Sequence, residues 1–173
     1  MENTKQVSSE NIFVIARRMA EFQQVHNQLR MDFKEVYELA SRCTANDPVT
    51  SALIRACIKE LFSLIEADIF LYNQYNGYLD FDDKDSILDK FKRTFKHHAT
   101  DFNKSGNVMN FNSRFVVHVR KLKRLRDDIT HPKSMESIVV TADDLKLTWK
   151  VYEAYTDFIS SLMTGTAISA TFH

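Results

Sequence analysis

Glycine and proline are scarce in this chain, three and two among 173 residues. That scarcity disfavours a many-stranded β fold, whose tight turns draw on both. Cysteine is as rare. Cys43 and Cys57 form no C-x-x-C pair and stand beside no cluster of metal ligands, so a disulfide framework and a zinc site both drop out and the two thiols read as small buried hydrophobes. No apolar stretch approaches the length of a bilayer span, and the start MENTKQVSSEN lacks the basic-then-apolar order of a secretory signal. The expectation is a cytoplasmic protein with no membrane partner. Net charge is missing too: 23 basic residues balance 23 acidic ones, and the average charge therefore announces no polyanionic ligand.

What is present is an ordinary globular balance, 44% hydrophobic and 27% charged, on a length that suits one well-filled core. With punctuation so sparse, the chain reads as an all-α, five-helix, up-and-down-like bundle with a long first helix and no significant sheet. It is one domain over 1–173, with 1–8 and 165–173 as frayed tails. In the first helix, capped by Ser8 or Ser9, Ile12, Ile15, Met19, Phe22, His26, Leu29, Phe33, Val36, Ala40 and Cys43 recur at steps of three and four, and no breaker interrupts them before Thr44. His26 on this seam reads as a hydrogen-bonded core histidine. Asn46-Asp47-Pro48 makes a turn and a helix start. The stretch SALIRACIKELFSLIEADIFLYNQY is apolar around most of its circumference and is expected as the central helix, stopped by Gly77.

After the acidic segment GYLDFDDKD, a third helix carries Phe91 and Phe95 up to about His98. His97 and His98 point about 100° apart on a helix and do not share a metal ion, so they read as cations at a helix C-terminus. Asn103 to Asn107 is expected as a loop, and Asn110 or Asn112 as the cap of a fourth helix bearing Phe111, Phe115, Val119, Leu122, Leu125 and Ile129. Pro132 ends it at or before His131. Ser137 to Val140 reads as an extended connector, Thr141-Ala142-Asp143-Asp144 as the capping segment, and Leu145, Trp149, Tyr152, Tyr155 or Thr156, Ile159 and Met163 as the apolar face of a last helix closed by Gly165. No cofactor and no metal are expected, because no third ligand stands near any helically spaced pair of His, Cys, Asp or Glu.

Charge is uneven along the chain. Arg114 to Lys133 holds seven basic residues and two acids, a surplus of five that the remainder offsets. Such a helix is arranged to face an acidic partner, RNA or an acidic protein, unless it is simply a solvated face. At its end stands Arg126-Asp127-Asp128-Ile129-Thr130-His131-Pro132. An arginine, a polar residue, three more and a histidine on the fourth helical segment resemble the R-polar-x-x-x-H signature of the HEPN superfamily of small all-α proteins. The resemblance implies a metal-independent endoribonuclease, a homodimer with a composite site, and a toxin or phage-defence role with a possible antitoxin or defence-system partner. It implies Arg126 and His131 as catalytic residues, with Asp127, where asparagine is commoner, orienting them. Lys133 stands where some relatives carry a modified tyrosine, so that regulation is not implied.

The chemistry is coherent on the residues alone. Cleavage through the RNA 2′-hydroxyl needs proton transfer, which histidine performs near neutrality, and a cation for the phosphoryl oxygens, which the arginine fork supplies. Arg120, Lys123, Arg124 and Lys133 are expected to bind the strand, with His118 a further contact or a core residue. Residues five apart on a helix diverge by about 140°, so a local turn or a second subunit has to bring the pair together. The competing reading pairs Arg126 with Asp127, Asp128, Glu60 or Glu66 and lets His131 satisfy the last carbonyls of its helix. The domain is then a catalytically silent interaction module, an accessory or neutralising subunit that uses its basic helix for binding alone.

Overall fold

The computed structural model describes residues 9–44, 48–76, 85–101 and 105–171. They form α1 (Ser9–Arg42), α2 (Pro48–Asn76), α3 (Ile87–Asp101), α4 (Ser105–Thr130) and α5 (Ala142–Thr171), with one 3-10 turn at Glu136–Ile138. Among the described residues there is no strand, as expected of an all-α bundle. Ser8, Asn46-Asp47, Gly77, the segment 78–84 and Asn103-Lys104 lie outside the described residues.

The apolar circumference of α2 explains its central place, since it packs against α1, α3, α4 and α5. Ile54, Ile58, Leu61, Phe62, Leu64 and Ile65 are all nearly or wholly shut off from water, each such burial contributing about 1.5–3 kcal/mol. Helix α1 runs antiparallel to α2: Phe22 meets Tyr72 edge-on at 5.0 Å, while His26 reaches Asp68 four residues earlier on α2. Helix α5 closes the bundle, stacking Tyr152 on Phe33 at 4.2 Å and Trp149 on Tyr37 at 4.3 Å. Helix α4 lies antiparallel to α5, with Asn107 Nδ2 donating to Ser161 Oγ at 3.1 Å near one end and Lys121 facing Asp144 at 3.5 Å towards the other. Aromatic rings fill the interior between α3, α4 and α5: Phe95 and Phe111 approach Phe158 to 5.2 Å and 4.7 Å.

Five local expectations are corrected. The fourth helix starts at Ser105, not at Asn110 or Asn112, because Val108 and Phe111 are buried and the Asn107 bond to α5 anchors the first turn. Helix α3 runs on to Asp101, and His98 in its last turn is fully buried, its ring edge-on to Tyr72 at 4.6 Å, whereas His97 is exposed. The connector before α5 turns at Glu136–Ile138 and becomes extended only at Val139, where Arg55 Nη1 donates to the Ile138 carbonyl at 3.1 Å. Helix α5 continues through Gly165 to Thr171, so residues 165–171 are helix and not tail. Of the two thiols, Cys57 is buried as expected and Cys43 is only half-buried.

The start of α5 is a reciprocal cap. The Asp144 backbone N–H donates to Thr141 Oγ1 at 3.3 Å, and the Thr141 backbone N–H donates to Asp144 Oδ2 at 3.0 Å. Two donors that a helix N-terminus leaves open are thus satisfied by one Thr-x-x-Asp pair.

Candidate nucleic-acid interface

Helix α4 divides its charged residues between two faces. Arg120, Arg124 and His131 are four and seven residues apart, which places them on one outward stripe, and all three are exposed. The His131 backbone N–H donates to the Asp127 carbonyl at 2.9 Å, so the helical spiral reaches His131 before Pro132 breaks it. The His131 ring makes no hydrogen bond among the described residues, and no ion pair there holds Arg120, Arg124 or Lys133.

Arg126 faces the other way, about 140° round an ideal helix from His131. Its guanidinium donates to Glu66 Oε1 of α2 at 2.6 Å and to Asp127 Oδ1 at 3.4 Å, and lies 5.8 Å from the centre of the Phe62 ring. Its side chain keeps 29% of its exposure and that of Glu66 46%. Asp127 is shared, because Lys123, one turn back, also pairs with it. Lys123 is thereby drawn in as a half-buried partner, unlike Arg120, Arg124 and Lys133. His118 is half-buried on α4. A single chain therefore brings Arg126 together with Asp127, and does not bring Arg126 together with His131. Of the carboxylates named as alternative partners, Glu66 and Asp127 take the arginine, and Glu60 and Asp128 do not.

A second constellation escaped the reading of the sequence. His26 Nδ1 lies 2.9 Å from both oxygens of Asp68, and the Tyr155 hydroxyl donates to Asp68 Oδ2 at 2.8 Å. Burial pushes the Asp68 carboxyl above its ordinary range despite the His26 and Tyr155 bonds, and burial with the Asp68 charge alongside pushes the Tyr155 hydroxyl well up. All three groups are shut off from solvent, so the cluster ties helices together and does not present itself to a ligand. The signal for it was an aspartate inside the apolar run LIEADIF, matched to a histidine on the seam of α1.

No group of three His, Cys, Asp or Glu capable of holding a metal occurs among the described residues. A cavity of about 380 Å³ opens between α3 and α4 beside Lys92, Lys96, Ala99 and Val108, near the start of α4 and far from His131. No helix among the described residues is long and apolar enough to cross a membrane. Comparison of the chain with protein-family models, curated proteins and solved structures finds no match.

Proposed function

We propose that this protein is a metal-independent endoribonuclease whose working site forms at the C-terminal end of α4 in a homodimer. The observation that carries the reading is the exposed His131 at a proline-terminated helix end, on the same stripe as Arg120 and Arg124, all three without a side-chain partner among the described residues. In the reaction an imidazole takes the proton of the RNA 2′-hydroxyl and the 2′-oxygen attacks the adjacent phosphorus. The bond to the 5′-oxygen breaks, and a second proton donor, supplied by the partner's copy of the same histidine, protonates that leaving oxygen. Arg126 carries the phosphoryl charge as it builds. Arg120, Arg124 and Lys133 hold the strand, with Lys123 joining them when it leaves Asp127. The resemblance of Arg126 to His131 to the HEPN signature supports the same reading, and with it a cytoplasmic toxin or defence role and a partner antitoxin or defence protein.

The second reading is the catalytically silent module that binds RNA or an acidic protein, and the pairing of Arg126 with Glu66 favours it. The two separate when purified protein is incubated with RNA in EDTA. Cleavage that falls by about 100-fold or more in His131→Ala, the scale of a lost proton-transfer group, and falls likewise in Arg126→Ala supports the nuclease. Absent cleavage leaves the module, and cleavage that survives both substitutions overturns the nuclease built on Arg126 and His131.

A further inference from the structure

The α2 side of the Arg126 contact carries information that the basic helix alone does not. Glu66 and Phe70 are one turn apart on α2, on the outward stripe that also holds Ser63 and Lys59. Phe70 is 62% exposed, and every other described aromatic side chain is buried or half-buried. Among the described residues its ring makes no contact with another ring. A fold that buries or half-buries its other described rings and leaves one phenylalanine outside, one helical turn beyond the carboxylate that clasps an arginine, presents both parts that a nucleotide recognises.

A carboxylate on a guanidinium fork has the charge and donor geometry of a phosphate on the same fork. Glu66 is nearly half exposed on the outward stripe of α2, so its rotation into solvent need not disturb the buried face of that helix. We propose that Arg126 is an oxyanion site whose internal occupant is Glu66, and that a nucleotide of unpaired RNA replaces it there, with its phosphate on Arg126 and its base on Phe70. The inference rests on the reading of α4 as an RNA interface. The four-residue step from Glu66 to Phe70 is about 6 Å of helix rise, comparable to the reach from a phosphate through its ribose to the base.

Helices α2 and α4 are antiparallel here: Arg126 faces Phe62 and Glu66, while the chain just beyond α4 meets Arg55. Along the seam His131 therefore lies to one side of the Arg126–Glu66 contact and Phe70 to the other. A strand laid along it puts the stacked base on the far side of the bound phosphate from the histidine. Duplex RNA keeps its bases stacked on one another and has none to offer Phe70, so the site selects single strands.

The test uses an end-labelled 2′-O-methyl RNA decamer, which cannot be cleaved through its 2′-oxygen, as a single strand and as a duplex in EDTA, with affinities read by fluorescence anisotropy. Phe70→Leu is expected to weaken single-strand binding about fivefold or more, the range of one lost stacking contact, and to leave duplex binding unchanged, while Phe70→Trp restores it. Glu66→Gln is expected to tighten single-strand binding about two- to fivefold, the scale of one exposed ion pair, and to make inorganic phosphate a better competitor. Asp128→Asn, which removes an exposed charge that does not touch Arg126, serves as the control for net charge. Unchanged single-strand binding in Phe70→Leu overturns the proposal, and so does an equal gain in Asp128→Asn and Glu66→Gln. Because no arm depends on cleavage, an inactive protein that passes these tests refutes the nuclease and leaves the nucleotide site standing.

Discussion

His26 and Asp68 meet with Nδ1 of the imidazole 2.9 Å from each carboxylate oxygen, and the hydroxyl of Tyr155 closes the other side of the same carboxylate. One buried acid thus joins α1, α2 and α5. A buried polar group left without its partner costs more than the hydrogen bond contributed, because its desolvation is no longer offset. His26→Ala also empties the space beside the Phe22 ring, whose centre lies 5.9 Å from that of the imidazole. The substitution is expected to cost about 2 kcal/mol or more near neutral pH, read as a lower midpoint in urea denaturation. A midpoint equal to that of the wild type means the network does not hold α1.

Asp68 makes stability depend on pH with a definite sign. Its carboxyl titrates higher in the folded protein than its ordinary value of 3.8, so the folded state keeps the proton where the unfolded chain has released it. The contribution is fully present below the unfolded value and is lost as pH rises through the folded one. Asp68→Asn removes the titration. The unfolding free energy of wild type minus that of Asp68→Asn is therefore expected to decrease as pH rises from about 4. A difference that is flat or increasing over that range contradicts the raised carboxyl.

The same pair shows what the sequence disclosed and what it withheld. Helical periodicity exposes only the identity of a face, and it placed His26 inside because its neighbours at three and four residues are apolar. It could not name Asp68 as the partner, since 42 residues separate them and the pairing depends on how α1 and α2 register. The start of α4 was misjudged for a related reason. Gly106 and two asparagines look like a loop when read locally, while the packing of Val108 and the Asn107 bond to α5 are tertiary. That Arg120, Arg124 and His131 share one side of α4 follows from their spacing, while its facing outward rests on how α4 packs. The inward turn of Arg126 onto Phe62 does not, because it is fixed by a helix elsewhere in the chain.

The two thiols should differ in reactivity. Burial pushes the Cys57 thiol up to about 12, and the thiolate is the reactive form. Cys43 is half-buried and its Sγ donates to the Leu39 carbonyl at 3.3 Å at the end of α1. In the native protein a disulfide reagent is expected to titrate Cys43 first, with Cys57 reacting only at the rate at which α2 opens. Addition of guanidinium should make the two equivalent. Equal rates under native conditions would show that Cys57 is not enclosed.

Arg126 and His131 should separate in stability before any question of activity arises. The arginine bridges α4 to α2 through Glu66 and lies near the face of Phe62, contacts of a kind that contribute up to about 1 kcal/mol each when partly exposed. Arg126→Ala is therefore expected to destabilise by about 1 kcal/mol, and a double-mutant cycle with Glu66→Gln should recover part of that as coupling. The His131 side chain is exposed and makes no hydrogen bond or ion pair among the described residues, and His131→Ala should stay within about 0.5 kcal/mol of the wild type. Thermal melting of the wild type, the three single variants and the double variant decides it. A His131→Ala protein that melts like the wild type makes any loss of RNA cleavage a loss of chemistry. If instead His131→Ala is the more damaging substitution, the histidine belongs to the structure, and the end of α4 loses its claim to be a site.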